Sequence, residues 1–202
     1  MTMSAESDAF ALLGLPRRAW IDAEEVRAAL RRRAAECHPD QAIGNARSGE
    51  NDANTDFGVF SEAAAVLSSP PARLRLLARG ASSGGGPSSS GPQVMSEELG
   101  NLFAAAAEVM ESVEDWRRRQ GERTTALAKA VAGREAVAMD ERLEEVLGRV
   151  SRVCEQIEER AKQWDADGGK DAAKLEALAR EAGFLWKWRE RLTKARLALA
   201  GI

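Results

Sequence analysis

Residues 22–40 read DAEEVRAALRRRAAECHPD, and this stretch decides the fold of the N-terminal part of the chain. Asp22 followed by Glu25 is a helix start signal, because both side chains can bond the unpaired amides of the first turn. Pro39 ends the helix, since the residue before a proline is driven out of helical backbone angles. The pattern therefore predicts one basic helix that ends at a His-Pro-Asp tripeptide, followed by a loop.

Three shorter helical segments are predicted around this basic helix. A brief helix at Asp8–Leu13 is stopped by Gly14 and Pro16. A third helix carries apolar side chains at helical spacing over residues 57–67, and a last short helix follows Pro70. The N-terminal part is thus predicted to hold four short helices.

A change of composition marks the boundary between two parts of the chain. Residues 80–93 read GASSGGGPSSSGPQ, in which 12 of 14 positions are Gly, Ser or Pro. Such a segment cannot bury apolar surface and is typical of a flexible linker. We therefore predict three regions: residues 6–79, the linker 80–93, and a C-terminal helical part at 94–202.

The C-terminal part contains three stripes of apolar residues that recur at three- and four-residue steps. They run over residues 99–116, 143–164 and 175–199. Each stripe is one face of an amphipathic helix and needs a partner to cover it. The prediction is an antiparallel three-helix bundle or a long coiled-coil hairpin, within an all-α chain. The stretch 121–136 is left open, because it either continues a helix or forms an insertion.

Composition excludes several classes of function. The 29 Lys and Arg against 32 Asp and Glu give a net charge of −3, which argues against a nucleic-acid binder held by bulk positive charge. No apolar run approaches the roughly 18 residues of a membrane span, and no secretory signal is visible, so a cytoplasmic protein is expected. Two cysteines, Cys37 and Cys154, and one histidine, His38, exclude a disulfide framework and multi-histidine metal sites. No metal and no cofactor are predicted.

The order of the N-terminal segments resembles the J-domain, the co-chaperone module named after DnaJ. The opening DAFALLGL at 8–15 is similar to the family's D-Y-Y-x-x-L-G-V. The stretch FSEAAAVLSSPPAR at 60–73 is similar to the end of the family's third helix, A-x-x-x-L-x-x-P-x-x-R. Three positions depart from the pattern: Gln41 stands where most J-domains have Lys, Arg33 stands where a core apolar residue is usual, and Ala64 replaces a common aromatic residue.

Within this family the chain most resembles HscB, the J-protein of bacterial iron–sulfur cluster assembly. GLPRRAWID at 14–22 looks like the G-L-P…L-D opening of HscB, and Leu76-Leu77 after Arg73 resembles its R-A-x-Y-L-L. In the C-terminal part, VMESVE at 109–114 resembles the client-binding stretch L-M-E-x-L-E. The pair Phe184-Leu185 also has a counterpart in HscB.

The resemblance implies a chaperone-binding site on the N-terminal part. His38, Pro39 and Asp40 would form the loop that touches the ATPase domain and interdomain linker of a DnaK/HscA-class chaperone. Pro39 stiffens that loop, so that its neighbours present a donor and acceptors from a defined position. The basic stretch contributes Arg27, Arg31 and Arg32, which would steer onto an acidic chaperone surface. The alternative for such a charge run is a solvated helix face.

The resemblance also implies a client-binding site on the C-terminal part, at Val109, Met110, Val113 and Glu114. This interpretation requires part of the apolar stripe to stay exposed, as a patch that marks an interface. The alternative is that these apolar residues form the core of the bundle, as apolar stripes normally do. The resemblance to HscB implies that the client is an iron–sulfur cluster scaffold protein.

Three functional hypotheses follow. The first is a J-domain co-chaperone that stimulates a DnaK/HscA-class ATPase and delivers an iron–sulfur scaffold protein. The second is a J-protein with a different client, and the third is a structural coiled-coil adaptor with a non-functional J-domain. None is an enzyme: Cys37, His38 and Asp40 are too close in sequence to form a nucleophile, base and orienting group easily. Neither nucleic acid nor membrane is expected as a partner.

Overall fold

A computed structural model describes residues 9–36, 50–82, 96–122 and 124–200. Within these ranges every regular element is a helix, which confirms the predicted all-α class. The helices are α1 (Ala9–Leu13), α2 (Ala23–Glu36), α3 (Glu50–Ser68), α4 (Pro70–Ser82), α5 (Glu97–Arg118), α6 (Ala126–Ala166) and α7 (Ala172–Ala200), with a 3₁₀ turn at Arg119–Glu122. None of these helices is both long enough and apolar enough to cross a membrane.

The chain forms two compact units, and neither is continuous in sequence. The first unit comprises Met1–Pro87 together with Ile157–Gly183, and the second comprises Ser88–Gln156 together with Phe184–Ile202. The end of α6 and the beginning of α7 thus belong with the N-terminal helices. The C-terminal part predicted from the sequence, residues 94–202, includes this segment.

The first unit is built on α3, which packs against both α1 and α2. Its core holds apolar side chains from all four N-terminal helices, among them Phe10, Leu13, Val26, Leu67 and Leu74. Gly14 lets α1 end: its φ is +65°, its amide donates to Ala11 O, and the next amide donates to Phe10 O. This is a Schellman cap, which favours glycine because other residues rarely adopt a positive φ.

The connection between α1 and α2 is held from two sides within the first unit. The carboxylate of Asp165, near the end of α6, accepts the amides of Ala19 at 2.8 Å and of Trp20 at 2.9 Å. The buried guanidinium of Arg73 on α4 donates to the carbonyls of Ala19 and Leu67. Burial lowers the pKa of Arg73, and the nearby carboxylates of Glu158 and Asp165 act in the opposite direction.

The second unit is a three-helix bundle of α5, the first part of α6 and the second part of α7. Neighbouring helices run antiparallel: as residue numbers rise along one helix, the numbers of the residues that they contact fall along the next. Trp116 donates from Nε1 to Ala132 O, and Arg142 bonds Glu108. Along α6 and α7, Asp140 and Glu144 bond Arg196, whereas the later Arg160 bonds the earlier Glu181. Consequently α5 and α7 run parallel, as an antiparallel bundle requires.

The stretch 121–136, left open by the sequence, is largely helical. Helix α6 begins at Ala126, where the Thr125 hydroxyl accepts the amide of Ala128 at 3.2 Å. The helix then continues through Gly133 to Ala166. Helix α4 likewise extends to Ser82, so its last residues overlap the predicted linker. Residues 83–93 of that linker lie outside the described residues.

Candidate functional site

The His-Pro-Asp tripeptide, His38, Pro39 and Asp40, lies outside the described residues. Helix α2 is described up to Glu36, which is two positions before His38 in the sequence. The structure therefore describes helix α2, which leads to the tripeptide, but not the tripeptide itself. Cys37 and Gln41 also fall outside these ranges.

Two of the three predicted chaperone-facing arginines share one acidic partner on α2. Arg27 Nη2 lies 2.9 Å from Glu24 Oε2, and Arg31 Nη2 lies 2.8 Å from Glu24 Oε1. All three side chains are more than half exposed. Hydrogen bonds from Arg31 and then Arg27 hold the pKa of Glu24 below its ordinary value of 4.5. Because the pKa of Glu24 is lowered, its ion pairs with Arg27 and Arg31 favour the folded state at pH values above the pKa of the unfolded carboxyl. This stabilisation is lost as the pH falls through the pKa of the folded carboxyl.

Arg32 differs from its two neighbours. It is exposed and has no carboxylate partner among the residues that the structure describes. It lines a shallow depression with residues of α1 and α2: Leu13, Gly14, Ala29, Arg33 and Glu36. Arg27, Arg31 and Arg32 thus form a solvent-facing basic surface, while Val26 and Ala29 face the core. We call these three arginines the basic face of α2.

Arg33 occupies the position where sequence analysis expected an apolar core residue. Its side chain is 34% exposed, and its Nε donates to Leu12 O at 2.9 Å. It also pairs with Glu36, and its guanidinium lies 5.9 Å from the ring centroid of Phe60. The aliphatic stem of an arginine can cover apolar surface while its head stays wet. Arg33 therefore ties α2 to the end of α1 and contacts α3.

The predicted client-binding residues are not equivalent in the second unit. Val109 is 4% exposed and Val113 is 2% exposed, so both are core residues that present almost no surface to a client. Met110 is half-buried and Glu114 is exposed. Core packing, which the sequence left open as the alternative, thus describes the two valines.

An aromatic cluster that sequence reasoning missed joins α5 and α7 in the second unit. The Phe103 ring lies 6.5 Å from that of Phe184 and 6.2 Å from that of Trp188, the latter pair being stacked. Phe184 is 61% exposed, and its contact with Phe103 makes it part of a contiguous apolar patch rather than an isolated side chain. Sequence analysis placed Phe103 on the core stripe of α5. The available signal was the dense aromatic run FLWKW at 184–188.

Met110 belongs to the same surface as this aromatic cluster. It follows Phe103 by seven residues, two turns of an α-helix, and so lies on the same face of α5. Arg191 follows Phe184 by the same seven residues along α7. We call Phe103, Phe184, Trp188 and Met110 the aromatic face of the second unit.

The described residues form no evident metal site. In the described ranges, no group of three or more His, Cys, Asp or Glu side chains is placed to hold a metal ion. Cys154 is buried in the second unit, as expected of a small core residue.

Comparison with known proteins identifies the class of the N-terminal part. Residues 8–75 match the family profile of the DnaJ domain. This range covers α1, the basic helix α2, the tripeptide, α3 and the beginning of α4, including Arg73. The chain therefore carries a J-domain, as its resemblance predicted.

The fold of the chain resembles the solved structure of the chaperone HscB from Vibrio cholerae. The likeness covers 95% of this chain and 98% of that one, with 18% sequence identity and a TM-score of 0.50. At this identity the likeness is one of fold, a J-domain followed by a C-terminal helical region. No curated protein matches the chain by sequence.

Proposed function

We propose that the chain is a co-chaperone that stimulates the ATPase of a DnaK/HscA-class chaperone and delivers a client to it. The observation that carries this proposal is the DnaJ-domain match over residues 8–75, which includes His38, Pro39 and Asp40. The chain itself is not proposed to be an enzyme, because its role is to accelerate hydrolysis at the partner's active site.

The basic face of α2 supports a steering role in this proposal. Its exposed guanidinium groups favour association with an acidic surface, an effect that mainly raises the association rate and weakens with salt. Glu24 partly neutralises Arg27 and Arg31, whereas Arg32 keeps its full charge. The tripeptide that follows would then make the contact on which stimulation depends.

The proposed client is an iron–sulfur cluster scaffold protein. Two observations support it: the fold likeness to the chaperone HscB, and the exposed aromatic face, which offers an apolar surface to a partner. The burial of Val109 and Val113 favours a second candidate, a J-protein with a different client. In either case the client-binding surface is proposed to include Met110, Phe184 and the exposed Glu114.

The ATPase assay tests the first part of the proposal. A DnaK-class chaperone is incubated with ATP, with and without the full-length chain, and phosphate release is followed. Wild type is expected to stimulate hydrolysis, and His38→Gln to abolish stimulation. Glu62→Gln, at an exposed position of α3, serves as the control and should stimulate like wild type. If His38→Gln stimulates as well as wild type, the J-domain mechanism is wrong for this chain.

A pull-down tests the client. The full-length chain is immobilised and offered an iron–sulfur scaffold protein, with the same scaffold on an uncoated matrix as control. Retention supports the first candidate. Stimulation of the ATPase without retention of the scaffold favours a different client, and the absence of both favours a structural adaptor.

A further inference from the structure

The outward side of α7 is both basic and aromatic near Phe184. Phe184, Lys187, Trp188 and Arg191 follow one another at three- and four-residue steps, so they share one side of the helix. Lys187 and Arg191 are exposed, and Phe184 is largely exposed. Between residues 184 and 199 the helix carries five basic residues and one acidic residue.

Of the other three cations on this part of α7, two pair with carboxylates, and the third, Arg189, lies 4.8 Å from the ring centroid of Trp186. Lys194 Nζ lies 2.6 Å from Glu190, and Arg196 bonds both Asp140 and Glu144. Lys187 and Arg191, in contrast, have no carboxylate partner among the residues that the structure describes. The Arg191 guanidinium instead lies 5.0 Å from the ring centroid of Trp188. Two uncompensated positive charges therefore border the aromatic face.

This combination has the composition of a protein interface. Aromatic and arginine side chains are enriched at binding hot spots, and charged groups at the edge of an apolar centre set the choice of partner. Phe103 and Phe184 supply an apolar centre, and Met110 extends it along α5. The two cations at its α7 edge favour negative charge opposite them, while exposed Glu114 lies one helical turn beyond Met110 at the α5 side.

We infer that the aromatic face binds an acidic protein segment, in which an apolar side chain contacts Phe103 and Phe184 while carboxylates pair with Lys187 and Arg191. The inference rests on the proposed function in that the segment belongs to the client. Nucleic acid is disfavoured because the net charge is −3 and this site has only two uncompensated cations. An anionic membrane is disfavoured because such surfaces recruit about 4–8 clustered Lys and Arg.

The test uses the full-length chain and a short fluorescent peptide of alternating glutamate and leucine. Its partner probe is the same peptide with lysine in place of glutamate. The double variant Lys187→Glu/Arg191→Glu reverses the two charges. The control Arg134→Glu/Arg152→Glu reverses two exposed arginines on α6 in the same unit. All four positions lie on exposed helix surface, so thermal melts should show that both variants fold.

Wild type and the control are expected to bind the glutamate peptide, more weakly as salt rises. The Lys187→Glu/Arg191→Glu variant should bind it about tenfold less tightly and should gain affinity for the lysine peptide. Phe184→Ser should also weaken binding, without a change in salt dependence. Equal binding of the glutamate peptide by wild type and the charge-reversed variant would overturn the inference. So would tighter binding of wild type to single-stranded RNA or phosphatidylserine vesicles, if Lys187→Glu/Arg191→Glu abolished it.

The scaffold protein separates failure of this inference from failure of the proposed function. If the scaffold binds wild type and the charge-reversed variant equally, the inference is wrong while the proposed client stands. If the glutamate peptide shows the expected pattern but the scaffold does not bind, the acidic-segment site stands and the proposed client is wrong. ATPase stimulation depends on His38 and is measured independently of both.

Discussion

At Arg33 a guanidinium replaces the apolar residue expected in the core of the first unit. The structure explains the exchange, because the side chain bonds Leu12 O and Glu36 and lies over Phe60. The sequence showed that Arg33 departs from the usual apolar residue, but it did not show which groups this side chain contacts. A sequence pattern gives the face on which a residue lies, whereas a carbonyl acceptor 21 positions away becomes apparent only when α1 and α2 are packed.

Asp165 also makes long-range hydrogen bonds that no local sequence pattern predicts. Its two acceptor oxygens bond amides 146 and 145 positions away. Asp165→Asn keeps one carbonyl acceptor and loses both the charge and the second acceptor. We expect the free energy of unfolding to fall by about 1–3 kcal/mol, because a partly buried amide loses its partner. Urea denaturation measures this change.

Asp167→Asn is the matched control for Asp165→Asn. Asp167 is exposed and bonds only local side chains, Gln163 at 2.7 Å and Lys174 at 3.4 Å. Surface changes of this kind usually alter stability by less than about 0.5 kcal/mol. Equal denaturation midpoints for the two variants would show that the Asp165 contact does not stabilise the first unit.

Met110 and Val113 separate client binding from core packing on α5. Met110→Ala removes a half-exposed side chain, so we expect a small loss of stability together with weaker client binding. Val113→Ala truncates a side chain that is 2% exposed and should cost about 2 kcal/mol, because it leaves a cavity. Thermal melts of both variants give the comparison. A larger drop in melting temperature for Met110→Ala than for Val113→Ala would remove Met110 from the proposed client surface.

Glu24 lowers the net positive charge of the basic face of α2, because it pairs with Arg27 and Arg31. Glu24→Gln should release Arg27 and Arg31 from their shared partner and so raise the association rate with a DnaK-class chaperone. Neutralising Arg27, Arg31 and Arg32 together should lower that rate, with client binding unchanged. Stopped-flow or surface-based kinetics at low salt measure both effects, which should shrink as salt rises.

Glu25→Gln is the control for Glu24→Gln. It changes the net charge of α2 by the same amount, but no ion pair of Glu25 with an arginine of the basic face is described. A purely global charge effect would raise the association rate equally in both variants. Only a larger effect at Glu24 agrees with local neutralisation of Arg27 and Arg31.

The order of the helices could be predicted from the sequence. Which residues on each helix are buried and which are exposed could be predicted less well. Gly14 and Pro70 mark helix ends by their backbone requirements alone, and the structure has helix boundaries at both. The apolar stripe of α5 correctly predicted an amphipathic helix. It did not distinguish buried Val109 from half-buried Met110, because neighbouring positions on a stripe differ in how far the adjacent helix covers them. The aromatic face depends on packing between two helices and was missed for that reason.

At the scale of the whole molecule, the Gly- and Ser-rich segment should be the first site of proteolysis. Limited proteolysis of the full chain is expected to cut within residues 83–93, beyond the end of α4 at Ser82. A first cut inside 143–164 would contradict the predicted linker. Mass spectrometry of the early fragments locates the cut.

The nicked protein should nevertheless stay together under native conditions. Both fragments contribute to the first compact unit, because residues 157–183 pack with the N-terminal helices. We expect the fragments to elute together in gel filtration and to separate in urea. Separation without denaturant would show that the contacts of Asp165 and its neighbours are too weak to hold the unit.

The return of the chain to the first unit has a consequence for biosynthesis. Translation delivers Ala19 and Trp20 before Asp165, which follows them by 146 and 145 positions. Until then, the amides of Ala19 and Trp20 lack the carboxylate that bonds them in the finished protein. Contacts between segments so distant in sequence form late and slowly. The J-domain therefore reaches its final form only after α6 has been made, and a ribosome that stalls before α6 is complete leaves the amides of Ala19 and Trp20 without this carboxylate.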